Sequence, residues 1–206
     1  MELEKDVYLK LITAATPLFA QKGLGGVSIR ELAQAASVNS AAISYYFNGK
    51  EGLYQAVLEE QFSPIAAALE KIKEAKKLPA IDQLALYANQ IAKIHHYRPF
   101  FIRFIFNEIT NSTPCYDTVV KKYISQIFQF ISQALAKGIA SGDFKPELNI
   151  NHAAISLAGI LNFYFVANPL AKAVISPETL ASDEDYTTQA FSIYLEGIRK
   201  RKEETL

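Results

Sequence analysis

Residues 27–53 read VSIRELAQAASVNSAAISYYFNGKEGL, and this stretch decides the fold. Ser28 suits a helix N-cap, because its hydroxyl can accept from a free N–H of the first turn. Glu31, three residues on, completes the pattern of a capping box. Ile29, Leu32, Ala33 and Ala36 then fall on one helical face. Ser37, Val38 and Asn39 break the pattern, with Val38 as the apolar plug of a turn, and Asn39 or Ser40 can cap a second helix. That second helix, over 40–47, carries Ala41, Ala42, Ser44, Tyr45 and Tyr46 around a core of Ile43 and Phe47. Two short helices joined by a short turn make a helix-turn-helix, whose second helix can enter a DNA major groove. Small residues and hydroxyls suit close approach to bases, and Lys50 lies where a cation can meet a phosphate. A plain helical hairpin with a tyrosine pair in its core fits the same spacing, so spacing alone leaves both readings open.

The run Ser44-Tyr45-Tyr46-Phe47, the loop Asn48-Gly49 and the adjoining Lys50-Glu51-Gly52-Leu53 resemble the DNA-binding signature of the TetR family of transcriptional regulators. The preceding SIRELA is similar to that family's first motif helix. Ser37 stands where the family usually has Gly, and Ser44 where it usually has Tyr. The resemblance implies that Tyr46 and Lys50 hold phosphates, with Ser28 joining them. It also implies that Ser40, Ala42 and Tyr45 face bases and that Arg30 reaches a base edge. A homodimer on a palindromic double-stranded operator, released by a small-molecule effector, is implied by the same likeness. Repression is the expected direction. The sequence specifies neither the operator nor the effector, and activation stays open.

Composition sets the bounds on the remainder. Half of the 206 residues are apolar, which is ample for a core. Formal net charge is zero, and the N-terminal stretch balances Lys5, Lys10, Lys22, Arg30 and Lys50 against Glu2, Glu4, Asp6, Glu31 and Glu51. Non-specific binding to nucleic acid is therefore not expected, and a specific site read by a dimer is. Cys115 is the single cysteine, so an intrachain disulfide is impossible. The charged start MELEKD has no apolar signal core, and the longest nearly apolar run, 153–167, is shorter than a bilayer span of about 20 residues. The expected place is the cytoplasm, with no membrane partner.

Helical periodicity runs through the whole chain, and the expected class is all-α. We read residues 1–50 as a three-helix helix-turn-helix domain and 51–206 as a helical bundle for ligand binding and dimerisation. The first helix should span 5–23 with a kink at Pro17. A linking helix should begin at Lys50, bend at Ser63-Pro64 and end at Lys76-Lys77. Further helices are expected over 80–97, from Pro99 to about Ile109, and over 117–138. Another should run over 152–167, stopped by Asn168-Pro169, and the last over 183–201, with Ile193 on its packed side and a solvated basic end through Arg201 and Lys202.

Aromatic residues crowd three successive helices in the second half, more than one core stripe needs. A mostly apolar pocket between helices is the usual ligand site in a bundle. The apolar candidates are Tyr87, Ile91, Phe100, Phe104, Tyr123 and Ile127. The polar ones are His95, Arg103, Asn107, Glu108 and Asn162. Arg103 could read an anion and Glu108 a cation, although each alone is more often a surface or paired residue. Ala154, Ala158 and Gly159 would let helices approach closely across a two-fold axis. His95 and His96 are adjacent and face different ways, and no metal, nucleophile or phosphate-loop motif occurs. No catalytic residue, cofactor or metal site is expected. A helical dimeric binding protein that keeps the hairpin without reading DNA is the alternative.

Overall fold

Apolar residues spaced by three and four become nine α-helices among the described residues of this computed structural model, which are 2–74, 78–176 and 182–200. They are α1 (Glu2–Lys22), α2 (Ile29–Ala35), α3 (Ala41–Phe47), α4 (Lys50–Glu74), α5 (Ala80–Tyr97), α6 (Phe101–Thr110), α7 (Lys121–Ala140), α8 (Ile150–Val174) and α9 (Asp183–Ile198). A π-helical turn, Tyr116–Val120, leads into α7. The only strand-like pairing among the described residues is an isolated bridge between Phe144 and Arg199.

The helices form two compact units. One is Met1–Pro64 with Arg98–Tyr123, and the other is Ile65–Tyr97 with Ile124–Leu206, so far as these are described. In the first, α1 packs on α2, α3 and α6. Its core is Leu11, Ala15 and Phe19 of α1, Leu32 of α2, Ile43 of α3, Leu53 and Val57 of α4, and Phe101 and Phe104 of α6. In the second, α5, α8 and α9 pack on one another around Leu84, Tyr87, Leu157, Leu161 and Ala190.

Several local expectations need correction. Pro169, expected to stop a helix, lies inside the continuous α8, whereas α1 and α4 run on through Pro17 and Pro64 as expected. A proline costs about 3 kcal/mol in a helix interior, but the good helix formers that follow Pro169, Leu170, Ala171 and Lys172, keep propagation favourable. As a result α8 has 25 residues, mean hydropathy 1.5 and only 22% of its most apolar window buried. It is long and apolar enough to cross a bilayer, contrary to the shorter run expected. Ile29 is 39% exposed and Ile193 62%, so neither belongs to the packed face assigned to it. The lysine-rich end at Lys76-Lys77 and the basic end at Arg201 and Lys202 lie outside the described residues.

The turn of the motif is where the sequence departs most from easy geometry. Ser37 has φ 54°, in the left-handed region. That conformation costs a non-glycine residue roughly 1–2 kcal/mol, and glycine gives part of it back in lost chain entropy. Ser37→Gly should therefore raise unfolding stability by roughly 0.5–1 kcal/mol in urea titrations. A lower midpoint would show that the serine is not strained there.

Candidate nucleic-acid interface and the polar cavity behind it

The helix-turn-helix is assembled from short, separately capped pieces. Ser28 caps α2, its Oγ accepting from Glu31 N–H at 3.1 Å. The reciprocal half of the capping box gives way to an ion pair, because Lys22 Nζ lies 2.5 Å from the Glu31 carboxylate and holds that group below its usual range. Asn39, not Ser40, caps α3, with Oδ1 accepting from Ala41 N–H at 2.8 Å. Asn48 closes α3 in the left-handed region at φ 58°. Gly52 lets α4 start directly beneath α3, since a Cβ there would stand 1.7 Å from the Phe47 carbonyl oxygen.

Ile43 and Phe47 are buried, and Tyr8 of α1 stacks on Phe47 at 4.7 Å between ring centroids. The opposite side of α3 is therefore outward. Tyr45 is 74% exposed and meets Tyr46 edge-on at 4.9 Å. Ser40 is exposed at the start of α3, while Ala42 and Tyr46 are half-buried at the margin. Ala41 and Ser44, absent from the expected contacts, share the exposed strip with Tyr45. Phasing the helix from Ile43 and Phe47 would have found both. Ser28 and Arg30 are exposed at the start of α2. Lys50 is half-buried, and its Nζ donates to the Val27 carbonyl at 2.9 Å. Two of its three N–H donors remain for other partners.

The expected ligand residues divide between the two units. Tyr87, Ile91, His95, Ile127 and Asn162 belong to one. There His95 Nε2 lies 2.9 Å from Asn162 Oδ1 and its ring stacks on Phe165 at 3.7 Å, while Asn162 Nδ2 donates to the Ala158 carbonyl. Tyr87 is buried against Phe130. Phe100, Arg103, Phe104, Asn107, Glu108 and Tyr123 belong to the other. Arg103 is exposed, Phe100 half-buried and Phe104 fully buried. Tyr123 donates to Glu59, and burial together with that carboxylate pushes its phenol up to about 12.

Asn107 and Glu108 line a cavity of about 290 Å³ with the end of α1, the loop 23–26, Tyr54, Asn111 and Thr113. Glu108 is fully buried. Tyr54 Oη donates to its Oε1 at 2.6 Å, and Thr113 N–H donates to Oε2 at 3.1 Å. Burial, reinforced by Glu108, drives the Tyr54 phenol far above its usual range, so it stays a donor. Tyr54 is absent from the expected site residues. Its one signal in the sequence is a phenol on the otherwise aliphatic stripe Leu53, Val57 and Leu58.

Residues 11–57 match the pattern described as bacterial regulatory proteins, tetR family. The chain is 32% identical over 160 residues to the HTH-type transcriptional dual regulator CecR of Shigella flexneri, covering 71% of each protein. It is 33% identical over 126 residues to a probable HTH-type transcriptional regulator, YttP of Bacillus subtilis, across 59% of this chain and 61% of YttP's length. The structure of the ketosteroid transcriptional regulator KstR2 of Mycobacterium tuberculosis superposes with a TM-score of 0.76 at 18% identity, over 94% of this chain and 95% of that one, and shares the fold.

Tyr54→Phe should cost about 1–3 kcal/mol in denaturant unfolding, since it leaves a buried carboxylate oxygen one donor short. An unchanged midpoint would mean that Glu108 does not depend on this bond.

Proposed function

We propose that this chain, which belongs to the tetR family of bacterial regulatory proteins, is a transcriptional repressor that binds a palindromic operator as a homodimer and is released by a small, mostly apolar effector. The observation that carries the DNA half is the outward strip of α3, with Tyr45 74% exposed over a buried Ile43 and Phe47. Ser40, Ala42 and Tyr45 are assigned to base edges, with Arg30 reaching one from α2. Tyr46, Lys50 and Ser28 are assigned to phosphates. In this reading residues 1–50 read DNA, residues 51–206 sense the effector and dimerise, and the protein works in the cytoplasm where its operator lies.

The effector acts by shifting a population. Whichever arrangement of the two heads it binds more tightly becomes the dominant one, and release results if that arrangement no longer fits the half-site spacing. The aromatic-rich helices α5, α6 and α7 support an apolar effector. Dimerisation is supported by α8 and α9, which leave Ile155 58%, Phe163 64%, Leu170 68% and Ile193 62% exposed in a single chain. Large apolar side chains left exposed in this number on two helices favour an interaction surface.

Selection of genomic fragments with the purified protein should enrich a palindrome. On that site Tyr45→Ala should weaken binding by roughly ten- to a hundredfold, the 1–3 kcal/mol typical of a base contact. Lys50→Ala should lower the salt slope by about one. No enrichment at low salt from a folded dimer would leave a helical binding protein that does not read DNA. Phe163→Glu should give a folded monomer by light scattering, because Phe163 is exposed within one chain. A dimer that persists would place the interface elsewhere.

A further inference from the structure

We infer that Lys22 and Lys50 are positioning residues for the DNA reading proposed above: from outside α2, their ammonium groups hold its first turn, which carries Ser28 and Arg30. The role rests on that reading, while the two attachments exist without DNA. Apolar burial does not set this turn. Val27 is buried ahead of it and Leu32 behind it, but Ser28, Ile29 and Arg30 are exposed and Glu31 is half-buried. With seven residues, α2 is also shorter than the roughly 12–15 at which an isolated helix becomes even marginal in water. Its first turn therefore depends on polar contacts.

The Ser28 cap is internal to the turn and does not orient it against anything else. Two contacts come from outside. Lys50, at the start of α4, donates to the Val27 carbonyl at 2.9 Å. Lys22, the last residue of α1, pairs with the Glu31 carboxylate at 2.5 Å. The loop between α1 and α2 folds tightly, since a Cβ on Gly26 would stand 2.3 Å from the Lys22 carbonyl oxygen. One lysine thus fixes the residue before the cap, and the other the third residue after it. Together they restrict rotation of the turn about its axis, and that rotation decides where Arg30 points. The two anchors are unequal. The Lys50 bond is partly buried and charge-assisted, whereas the Lys22 and Glu31 side chains are 46% and 34% exposed, so solvent screens their pairing. Lys50 keeps two more N–H donors and can hold a phosphate as well. Lys22 has no assigned phosphate and acts through Glu31.

The test starts with amide exchange on the full-length protein without DNA. Lys50→Met should speed exchange of the Glu31 and Leu32 N–H groups roughly tenfold, the worth of a charge-assisted hydrogen bond, with exchange in α8 unchanged. Lys50→Gln keeps a neutral donor and should recover most of the protection, so it carries the test should the methionine variant fail to fold. Lys22→Met should speed the same exchange about two- to fivefold, and should add nothing once Glu31→Gln is in place. Binding is then measured on the selected site across a salt series. Lys50→Met should weaken it even on extrapolation to about 1 M salt, where the counterion-release term vanishes. Lys22→Met should weaken it with the salt slope unchanged. Equal exchange in the wild type and the folded variants, or a Lys50 effect confined to the salt slope, would overturn the assignment. Failure of the DNA reading itself shows separately, as no enriched site, and removes the role while leaving the exchange differences.

Discussion

Burial of Ile43 and Phe47 fixes the rotation of α3, and with it everything the N-terminal unit can present. Successive residues of a helix turn by about 100°, so a change of one position in phase would bring Tyr46 or Ser44 to the core and turn Ile43 and Phe47 away from it. The neighbours leave no room for that. Tyr8 stacks on Phe47 from α1, α2 packs alongside, and α4 begins so close beneath the Phe47 carbonyl that only glycine fits at residue 52. The exposed strip of Ala41, Ser44 and Tyr45 is the geometric complement of this packing. Small and hydroxylic residues there keep the strip low enough for close approach to another surface.

A second constraint ties that motif to the rest of its unit through one stretch of α4. Lys50 holds the Val27 carbonyl just ahead of the Ser28 cap. One helical turn later, Tyr54 packs edge-on against Phe19 of α1 and donates to Glu108 of α6. Sliding α4 along its axis would strain both attachments together, because a buried phenol and a half-buried ammonium cannot exchange their partners for water without cost. Both attachments lie at the N-terminal end of α4, so they fix that end of the helix to the Val27 carbonyl and to Glu108.

The helices were legible in the sequence wherever the periodic pattern was strong, and the motif was legible because its caps, turn and aromatic run are local. The places where reading failed are ones where tertiary context outweighs a local rule. Pro169 is a helix stop by composition, yet α8 continues through it to Val174. Ile29 has the right spacing for the packed face, but α2 is only seven residues long and its first turn lies at the edge of the core. Glu31 has the right spacing for a capping box, but Lys22, nine residues earlier in sequence, reaches it first. The cavity was half visible. Glu108 and Asn107 stood out as polar groups among aromatics, whereas Tyr54 is named only by the packing that brings α4 against α6. No spacing rule connects residues 54 positions apart.

The apolar character of α8 has a direction that separates two explanations for it. Ala153, Ala154, Leu157 and Leu161 are buried, on the side where α5 and α9 pack. Ile155, Phe163, Leu170 and Val174 are exposed, and at about 100° per residue they gather within roughly 100° of arc on the other side. A helix apolar on two opposed faces, with His152 and Ser156 also on the outer arc, is built to pack twice. One face is already occupied inside the unit. Moving α8 into a bilayer would strip that face of its partners for no gain, since lipid is no more apolar than the leucines it would replace. Covering only the outer face keeps every existing contact and removes the exposed stripe from water. A second copy of the chain, offering the same stripe across a two-fold axis, meets that requirement with the surface already present.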